Sequence, residues 1–312
     1  MTRKAAVQDP TQLFSFEPGV DPGALPPGVL IVGLGGFIDA GNVQSLLVRH
    51  LLEASTAQVV ASFDLDQLLD LRGRRPLMIF EKTKYIGYDD PALLLHQLKD
   101  RDGTTYYLLA GPEPDYQWER MIEAIRVILA HLRNPLVVTA HGIPMAVPHT
   151  RPVGLTAHAT DESLIGERNP IFGQVTIPSS LAALLELRLG ETGDSALGFA
   201  VHVPHYLAQA DFHDGALTAL NAIVDATGLN LPNDALVQAA AEGRAQIEAE
   251  IAQNPEIAAA VEGLERQYDN FLEASEKPNL LTPQANPIPS ADELAADVEQ
   301  FLRSVSDEPD AG

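Results

Sequence analysis

Apolar runs of strand length alternate with amphipathic stretches of helix length along most of this chain. The first pair is VLIVGLG and, after its glycines, a stretch from Asp39 to about Glu53 with apolar side chains at helical spacing. Further predicted strands are residues 57–63, 105–111, 135–140 and 196–203, and further predicted helices are residues 66–70, 116–132, 179–190 and 212–227. This alternation is typical of an α/β fold in three layers, with helices on both faces of a mixed or mainly parallel sheet.

The composition changes after Leu231-Pro232. Residues 234–276 are rich in alanine and glutamate, and a break at Asn254-Pro255 separates two apolar stripes, which predicts a hairpin of two helices. A proline-rich linker should follow, and Ser290-Ala-Asp-Glu293 has the spacing of a capping box that would start a short helix. We therefore expect an α/β domain over 1–232, a helical hairpin extension over 233–277, and a linker, short helix and disordered acidic tail over 278–312.

Charge and composition narrow the range of functions. The 312 residues include 20 basic and 43 acidic ones, and the net charge is −23. Such a field repels phosphate backbones and anionic lipids, so neither nucleic acid nor membrane is an expected partner. There is no cysteine, which excludes disulfides, thiol nucleophiles and cysteine metal sites. Because no signal peptide and no apolar run of membrane length are recognisable, a cytoplasmic protein is expected.

The segment GLGGFIDAGN is the one most suggestive of ligand chemistry. Gly33, Gly35 and Gly36 follow a predicted strand and precede a helix, where backbone N–H groups could face an anion. The dinucleotide fingerprint fails because its third glycine would fall on Ile38, and no P-loop lysine follows. Asp39 is well placed to cap the helix, and its charge would oppose a phosphate. A tight turn and a pocket wall both remain open for this segment.

Three arginines stand close together in this acidic chain. Arg72, Arg74 and Arg75 could bind a carboxylate or phosphate, since guanidinium groups match both. The alternative, which we favour, is a set of ion pairs within the chain or across an interface, with Asp64 and Asp66 as the nearest partners.

Glu113 lies in a two-proline loop directly after a predicted strand. Binding clefts of α/β proteins usually lie at such strand ends, so Glu113 could act as a base or bind a ligand. It could equally hydrogen-bond nearby backbone N–H groups. Asp115 is predicted to cap the following helix, and Trp118 is predicted to be core.

Histidines and one arginine follow two later strands. His149 and Arg151 lie in GIPMAVPHTRP, and His202 and His205 lie in GFAVHVPHYL. They could work with Glu113 in acid–base chemistry, or stabilise loop carbonyls. A metal would need a third ligand, from His141, His149 or His158, and we expect neither a metal nor a cofactor. The candidate cleft comprises Gly35, Gly36, Asp39, Asn42, Glu113, His149, Arg151, His202 and His205.

Four segments in this order, GLGGFIDAGN, LLAGPEPDYQWERM, GIPMAVPHTRP and GFAVHVPHYL, resemble the proteasome assembly chaperone 2 family, in its bacterial branch of stand-alone proteins. The resemblance implies a fold similar to the phosphorylase and peptidyl-hydrolase group, a C-terminal helical extension and a homotrimer. Family members that dock on proteasomes end in a hydrophobic residue, a tyrosine and any residue. This chain ends Pro309-Asp310-Ala311-Gly312, which counts against direct proteasome docking.

Two functions are therefore expected from the sequence. The first is a non-catalytic, chaperone-like binding or assembly protein that acts as a homo-oligomer and engages other proteins. The alternative is an enzyme or small-molecule binder, for an anionic or nucleoside-like metabolite, that uses the cleft at the strand ends. The absence of a recognisable nucleophile motif or nucleotide loop favours the first.

Overall fold

The structure is a computed structural model that describes residues 8–166 and 174–276, with side chains to residue 270. The chain divides into two compact units, residues 1–268 and 269–312. The predicted linker, short helix and tail over 278–312 lie outside the described residues. The predicted domain boundary after residue 232 remains a prediction.

Within residues 8–166 and 174–276, eight strands form one mixed sheet and two more form a separate hairpin. The sheet strands are β1 (Phe14–Phe16), β2 (Leu30–Gly35), β3 (Gln58–Phe63), β6 (Leu94–Lys99), β7 (Thr105–Pro112), β8 (Val137–Met145), β9 (Leu155–Ala159) and β10 (Ala196–Pro204). Their order is β1-β3-β6-β7-β2-β8-β10-β9. The hairpin pairs β4 (Met78–Glu81) with β5 (Lys84–Tyr88).

The four central strands of the sheet run parallel, and the outer ones run against them. β7, β2, β8 and β10 pair in parallel, whereas β6, β3, β1 and β9 join through antiparallel pairs. Parallel strands end at the same edge of a sheet, so the loops after these four strands meet there. This carboxyl edge holds most of the candidate cleft residues.

In the described part of the chain, six helices accompany the sheet. They are α1 (Val43–Ala54), α2 (Trp118–His131), α3 (Leu181–Gly190), α4 (His213–Thr227), α5 (Asp234–Ala252) and α6 (Pro255–Glu276). α3 begins after Ser180, whose hydroxyl accepts a hydrogen bond from the Ala183 N–H (3.1 Å), and α4 ends at Gly228 in the left-handed conformation. Both ends match the sequence signals for helix caps.

Two apolar clusters cover opposite faces of the sheet. Buried side chains of α2 and α3 pack with one face, and those of α1 and α4 pack with the other. Tyr106 and Tyr107, adjacent in β7 and both fully buried, belong to different clusters, as the alternation of a strand requires. The three-layer α/β fold predicted from the sequence is confirmed.

Five strands of the structure have no counterpart among the predicted ones. β1, β4, β5, β6 and β9 were not predicted, and all five pair antiparallel. The predicted helix over 66–70 is only a 3₁₀ turn at Leu65–Gln67. The two helices predicted after residue 232 are present as α5 and α6, and α5 packs against α4. That α5 and α6 pair with each other as a hairpin stays a prediction.

Candidate functional site

The Asp39 carboxylate caps the N-terminus of α1. It accepts hydrogen bonds from the backbone N–H groups of Gln44 (2.8 Å) and Ser45 (3.0 Å) and of Gly142 (3.3 Å) in β8. These are the N–H groups that an anion at this helix N-terminus would use. The carboxylate of the chain itself therefore occupies the position that a bound phosphate would take.

The turn before α1 is tied to the segment before α4. Gly41 donates to the Ala208 carbonyl and accepts from the Phe212 N–H, both at 2.9 Å. Asn42 donates from its side chain to the Asp211 carboxylate at 2.7 Å. Gly41 has a φ of 67°, and a Cβ there would lie 2.8 Å from the Cβ of Phe212. Only glycine can adopt this φ and also leave room for Phe212, so loop packing explains the glycine in the AGN sequence of this segment.

Glu113 is buried and holds the start of α3. Its Oε1 accepts from the Leu181 N–H at 2.6 Å, and its own N–H donates to the Gly35 carbonyl at 3.1 Å. A Cβ on Gly36 would come within 3.2 Å of the other carboxylate oxygen, a tight contact. Glu113 thus joins the ends of β2 and β7, through its backbone, to a helix 68 residues further along the chain, through its carboxylate. A partner this far away in the sequence, Leu181, cannot be predicted from residue spacing.

His149 and Arg151 connect the loop after β8 to other elements. The His149 Nδ1 lies 2.7 Å from the hydroxyl of Tyr206, and the His149 N–H donates to the same oxygen. Burial lowers the pKa of His149 and raises that of Tyr206. Arg151 lies 3.4 Å from Glu265 in α6, whose carboxylate also accepts from the Thr150 hydroxyl. Tyr206 and Glu265 were not predicted, because only the fold brings them to this loop.

His202 and His205 have different surroundings although they are three residues apart. His202 is buried in β10, and its Nε2 lies 2.8 Å from the hydroxyl of Thr156 in β9. Burial lowers the pKa of His202. His205 is exposed in the 3₁₀ turn that follows β10 and contacts only the edge of Tyr206 among the aromatic rings described. Among the described residues, no group of three His, Asp or Glu side chains could hold a metal ion.

The three arginines do not form one site. Arg74 lies 2.7 Å from Asp115, whereas the side chains of Arg72 and Arg75 are exposed. Arg74 therefore has an acidic partner within the chain, as the favoured alternative expects, but the partner is Asp115, while the Asp64 carboxylate bonds the Asp66 N–H and a neighbouring glutamine.

Asp115 itself does not cap α2, contrary to the prediction. Its second oxygen accepts from the Asp70 N–H at 2.7 Å, so its carboxylate faces the loop after β3. The residue before α2 is Gln117, which has a φ of 60° and makes no side-chain cap. Trp118 lies partly buried against the α2-side core, as predicted.

A β-hairpin that was not predicted from the sequence extends from the same carboxyl edge. Residues 72–90, which we name the arm, contain the β4–β5 hairpin and connect the end of β3 to the start of β6. Seven large apolar side chains of the arm are between 48% and 75% exposed: Leu77, Met78, Ile79, Phe80, Tyr85, Ile86 and Tyr88. Phe80 and Tyr85 pack edge to face at 5.1 Å across the two strands. More apolar side chains are exposed on neighbouring loops of this edge, namely Phe37, Tyr116, Val175 and Ile177.

A groove of about 460 Å³ runs between α1 and the carboxyl ends of β2 and β7. Gly33, Gly35 and Gly111 line its sheet side, and the outward stripe of α1 lines the other, with Ser45 and Arg49 among its residues. Val48 of α1 packs closely over Gly33 and the Ala92 carbonyl lies close to Gly111, whereas the space beside Gly35 is open.

Comparison with known proteins places these features in a family. The PAC2 family model matches residues 33–251. A protein of unknown function from Mycobacterium tuberculosis is 39% identical, with a TM-score of 0.81 over 88% of this chain and 94% of that one. Another, from Corynebacterium glutamicum, is 32% identical, with a TM-score of 0.78 over 84% and 99%.

A more distant structure shares the fold. A proteasome-assembly chaperone homologue from M. tuberculosis is 21% identical, with a TM-score of 0.68 over 75% of this chain and 99% of that one. Curated protein sequences give no significant match. The family model covers more than half of the chain and two solved structures exceed 30% identity, so the chain belongs to the PAC2 family.

Proposed function

We propose that this chain is a non-catalytic, chaperone-like protein that acts as a homo-oligomer and binds other proteins. One observation carries the proposal. The reactive groups of α/β enzymes usually lie at the carboxyl edge of the sheet. In this chain, polar side chains at that edge are bonded to other parts of the fold, and exposed apolar side chains border them. Exposed apolar surface of this extent is typical of protein-binding sites.

The polar residues of this edge support the proposal through their bonds. The Asp39 and Glu113 carboxylates cap α1 and α3, and Arg151 contacts Glu265. Side chains fixed in this way stabilise loops, and a loop scaffold can present a binding surface.

The arm supports the self-association. A lone two-stranded hairpin is at most marginally stable in water, so the arm needs a surface to cover it. It holds five of the 20 basic residues of the chain and only three of the 43 acidic ones. A second copy, whose charge outside the arm is strongly negative, is complementary to it. The family resemblance implies three copies, and we propose a cyclic trimer.

The chaperone-like part follows from the family. The homologue at 21% identity is described as a proteasome-assembly chaperone homologue, and a protein with this scaffold could assist ring assembly in the same way. The test is to mix separated proteasome core subunits of an actinobacterium with and without the protein, and to follow the core particle on native gels. Faster assembly, lost with Phe80→Ser/Tyr85→Ser, supports the proposal, and an unchanged rate contradicts the assembly role.

One contact favours the alternative, an enzyme. The Thr156 hydroxyl and the His202 imidazole form a hydroxyl–imidazole pair at 2.8 Å, which is the contact an activated nucleophile makes. A thermal-shift screen against nucleosides, phosphate esters and divalent metals tests it. A ligand at 100 times its Kd adds about 2.7 kcal/mol to the unfolding free energy. A stabilising compound whose effect disappears in Thr156→Val would favour the alternative.

A further inference from the structure

One face of the sheet is incompletely covered beside α1. On this side α1 packs against β2 and β8, and α4 packs against β8 and β10. The same side of the sheet also carries Val59 of β3 and Leu94 and His96 of β6. Leu94 and His96 pair in register with buried residues of β7 that face this side, and Val59 pairs with His96. These three side chains are only half-buried and belong to neither apolar cluster.

We call this region the open face. It consists of Val59, Ser62, Leu94 and His96 together with the adjoining groove along α1. Two of its four sheet residues are apolar, Val59 and Leu94, and Val48 and Leu52 of α1 add apolar side chains to the groove. A Cβ on Gly35 would meet a single backbone atom at 3.7 Å, so the groove has room for a side chain from outside. A partly apolar sheet surface that is left half-buried can be covered by a second sheet.

The arm has the matching shape. Its strands pair Met78 with Tyr88 and Phe80 with Tyr85, and directly opposed residues project from the same face of a hairpin. This gives the arm one face of four large apolar side chains. The other face carries Ile79, whose side chain lies against Gly87. A two-stranded sheet with such a face can pack on another sheet at the usual spacing of about 10 Å.

We propose that the arm of one copy packs this apolar face onto the open face of the next copy. The proposal rests on the self-association put forward above and names its acceptor surface. Within one chain the arm and the open face do not cover each other, because Phe80 is 59% and Tyr85 is 67% exposed while the open face stays half-buried. The occupant is therefore a second copy.

Charge determines the arrangement of the copies. Two arms would bring their basic residues together, including Lys82 and Lys84 near the turn, so arm-to-arm contact is disfavoured. An arm on the acidic body of another copy is favoured instead. Such a contact joins different surfaces of the two copies, and repetition of it closes a ring if the rotation allows. Contact between the arm of one copy and the open face of the next is therefore expected to form a head-to-tail ring and not a two-fold dimer.

The chain has no cysteine, which allows a direct crosslinking test. Thr83→Cys places a thiol at the exposed turn of the arm and leaves its apolar face intact. It is combined in one chain with Ser45→Cys in the groove or with Ser62→Cys on β3. The matched control combines it with Leu187→Cys, which is 58% exposed on α3, on the opposite face of the sheet. Each protein is treated with a short bismaleimide and run on a denaturing gel, and its native mass is measured by light scattering.

The expected result is a covalent ladder up to the native ring size with Ser45→Cys or Ser62→Cys, and no ladder with Leu187→Cys. Three results would overturn the proposal. A native oligomer whose test pairs crosslink no better than the control means that the arm docks elsewhere, and the self-association stands. Strong dimers from Thr83→Cys alone mean that arms pair with arms. A monomeric unsubstituted protein overturns both the acceptor surface and the proposed self-association.

Discussion

The carboxyl edge of the sheet and the arm that extends from it use their residues in opposite ways. At the edge, Asp39 and Glu113 bond backbone N–H groups of helices that begin there, and two nearby glycines, Gly41 and Gly142, leave no room for a Cβ. In the arm, seven large apolar side chains are exposed, and among the strands that the structure describes β4 and β5 pair only with each other. The two carboxylates of the edge have their partners within one chain, whereas the large apolar side chains of the arm are left exposed by it.

This difference separates two kinds of mutational effect. Changes at the edge remove hydrogen bonds or create clashes inside the fold, so they should lower the free energy of unfolding of the single chain. Changes to exposed side chains of the arm leave that free energy almost unchanged and act on association. Variants of the edge therefore test stability, and variants of the arm test association.

The largest expected effect is complete loss of assembly from two changes in the arm. Phe80→Ser/Tyr85→Ser removes the aromatic pair and most of the apolar area near the turn. We expect light scattering to report a monomer, with an unfolding free energy within about 0.5 kcal/mol of the unsubstituted chain under monomeric conditions, as is usual for exposed sites.

The matched control for this change is Leu187→Ser, which also removes a side chain that is 58% exposed but lies on α3. It should leave the native mass unchanged. A double variant of the arm that keeps its native mass, or one that unfolds, would show that the arm belongs to the body of the chain.

At the edge, Gly142→Ala should have the greatest effect on stability. A Cβ at this position would lie 1.9 Å from the Ala40 carbonyl oxygen, so the backbone of β8 or of the turn before α1 must move. We expect a loss of about 3 kcal/mol in the free energy of unfolding, at the upper end for overpacking. Urea titration monitored by circular dichroism measures it.

Gly263→Ala is the control, because a Cβ there would meet nothing within 4 Å and the residue lies inside α6. It should stabilise the chain slightly, by up to about 1 kcal/mol, through higher helix propensity. If the two alanines have equal effects, the close approach of β8 to Ala40 is not a constraint on the fold.

Glu113→Ala should have the next largest effect. The change leaves the Leu181 N–H without its buried acceptor, and such a loss costs about 1–3 kcal/mol. Glu113→Gln keeps an acceptor oxygen and should cost less than half of that. Urea titration of both variants compares them. Equal stability of all three proteins would show that the carboxylate is not a structural cap and would return it to the list of ligand-binding candidates.

The layers and most helices could be predicted because their signals are local. The run VLIVGLG and the amphipathic stretch after it contain enough information to predict β2 and α1. Asp39 could be recognised as a cap because it lies within a few residues of the N–H groups that it binds. Ser180 and Gly228 could be placed at helix ends for the same reason.

The antiparallel strands and the partners at the edge could not be predicted in the same way. β6 and β9 are short and carry mixed apolar and polar residues, which fits half-buried strands only once a sheet exists beside them. Glu113 bonds Leu181, and His149 bonds Tyr206, across loops that only the fold brings together. The arm did contain a signal: two short apolar segments, LMIF and YIGY, lie on either side of the polar residues EKTK, which favours a hairpin.

The smallest effect concerns pH and again belongs to the edge. His202 titrates near 6.5 in the unfolded chain, and burial lowers its pKa in the folded chain. Between these two pKa values the unfolded state binds more protons, so the free energy of unfolding must fall as the pH drops below about 6.5. His149, whose pKa burial also lowers, acts in the same direction. Asp214 opposes both at lower pH, since burial raises its pKa and the folded chain takes up that proton more readily.

Urea titrations at pH 7, 6 and 5 measure this effect, in the arm variant Phe80→Ser/Tyr85→Ser so that association does not contribute. Each unit by which the pKa of His202 is lowered corresponds to about 1.4 kcal/mol of stability lost at low pH. His202→Gln should flatten this part of the pH dependence, and the same change at the exposed His205 is the matched control. If the slopes of the two variants agree, burial of His202 does not determine the acid sensitivity of the edge.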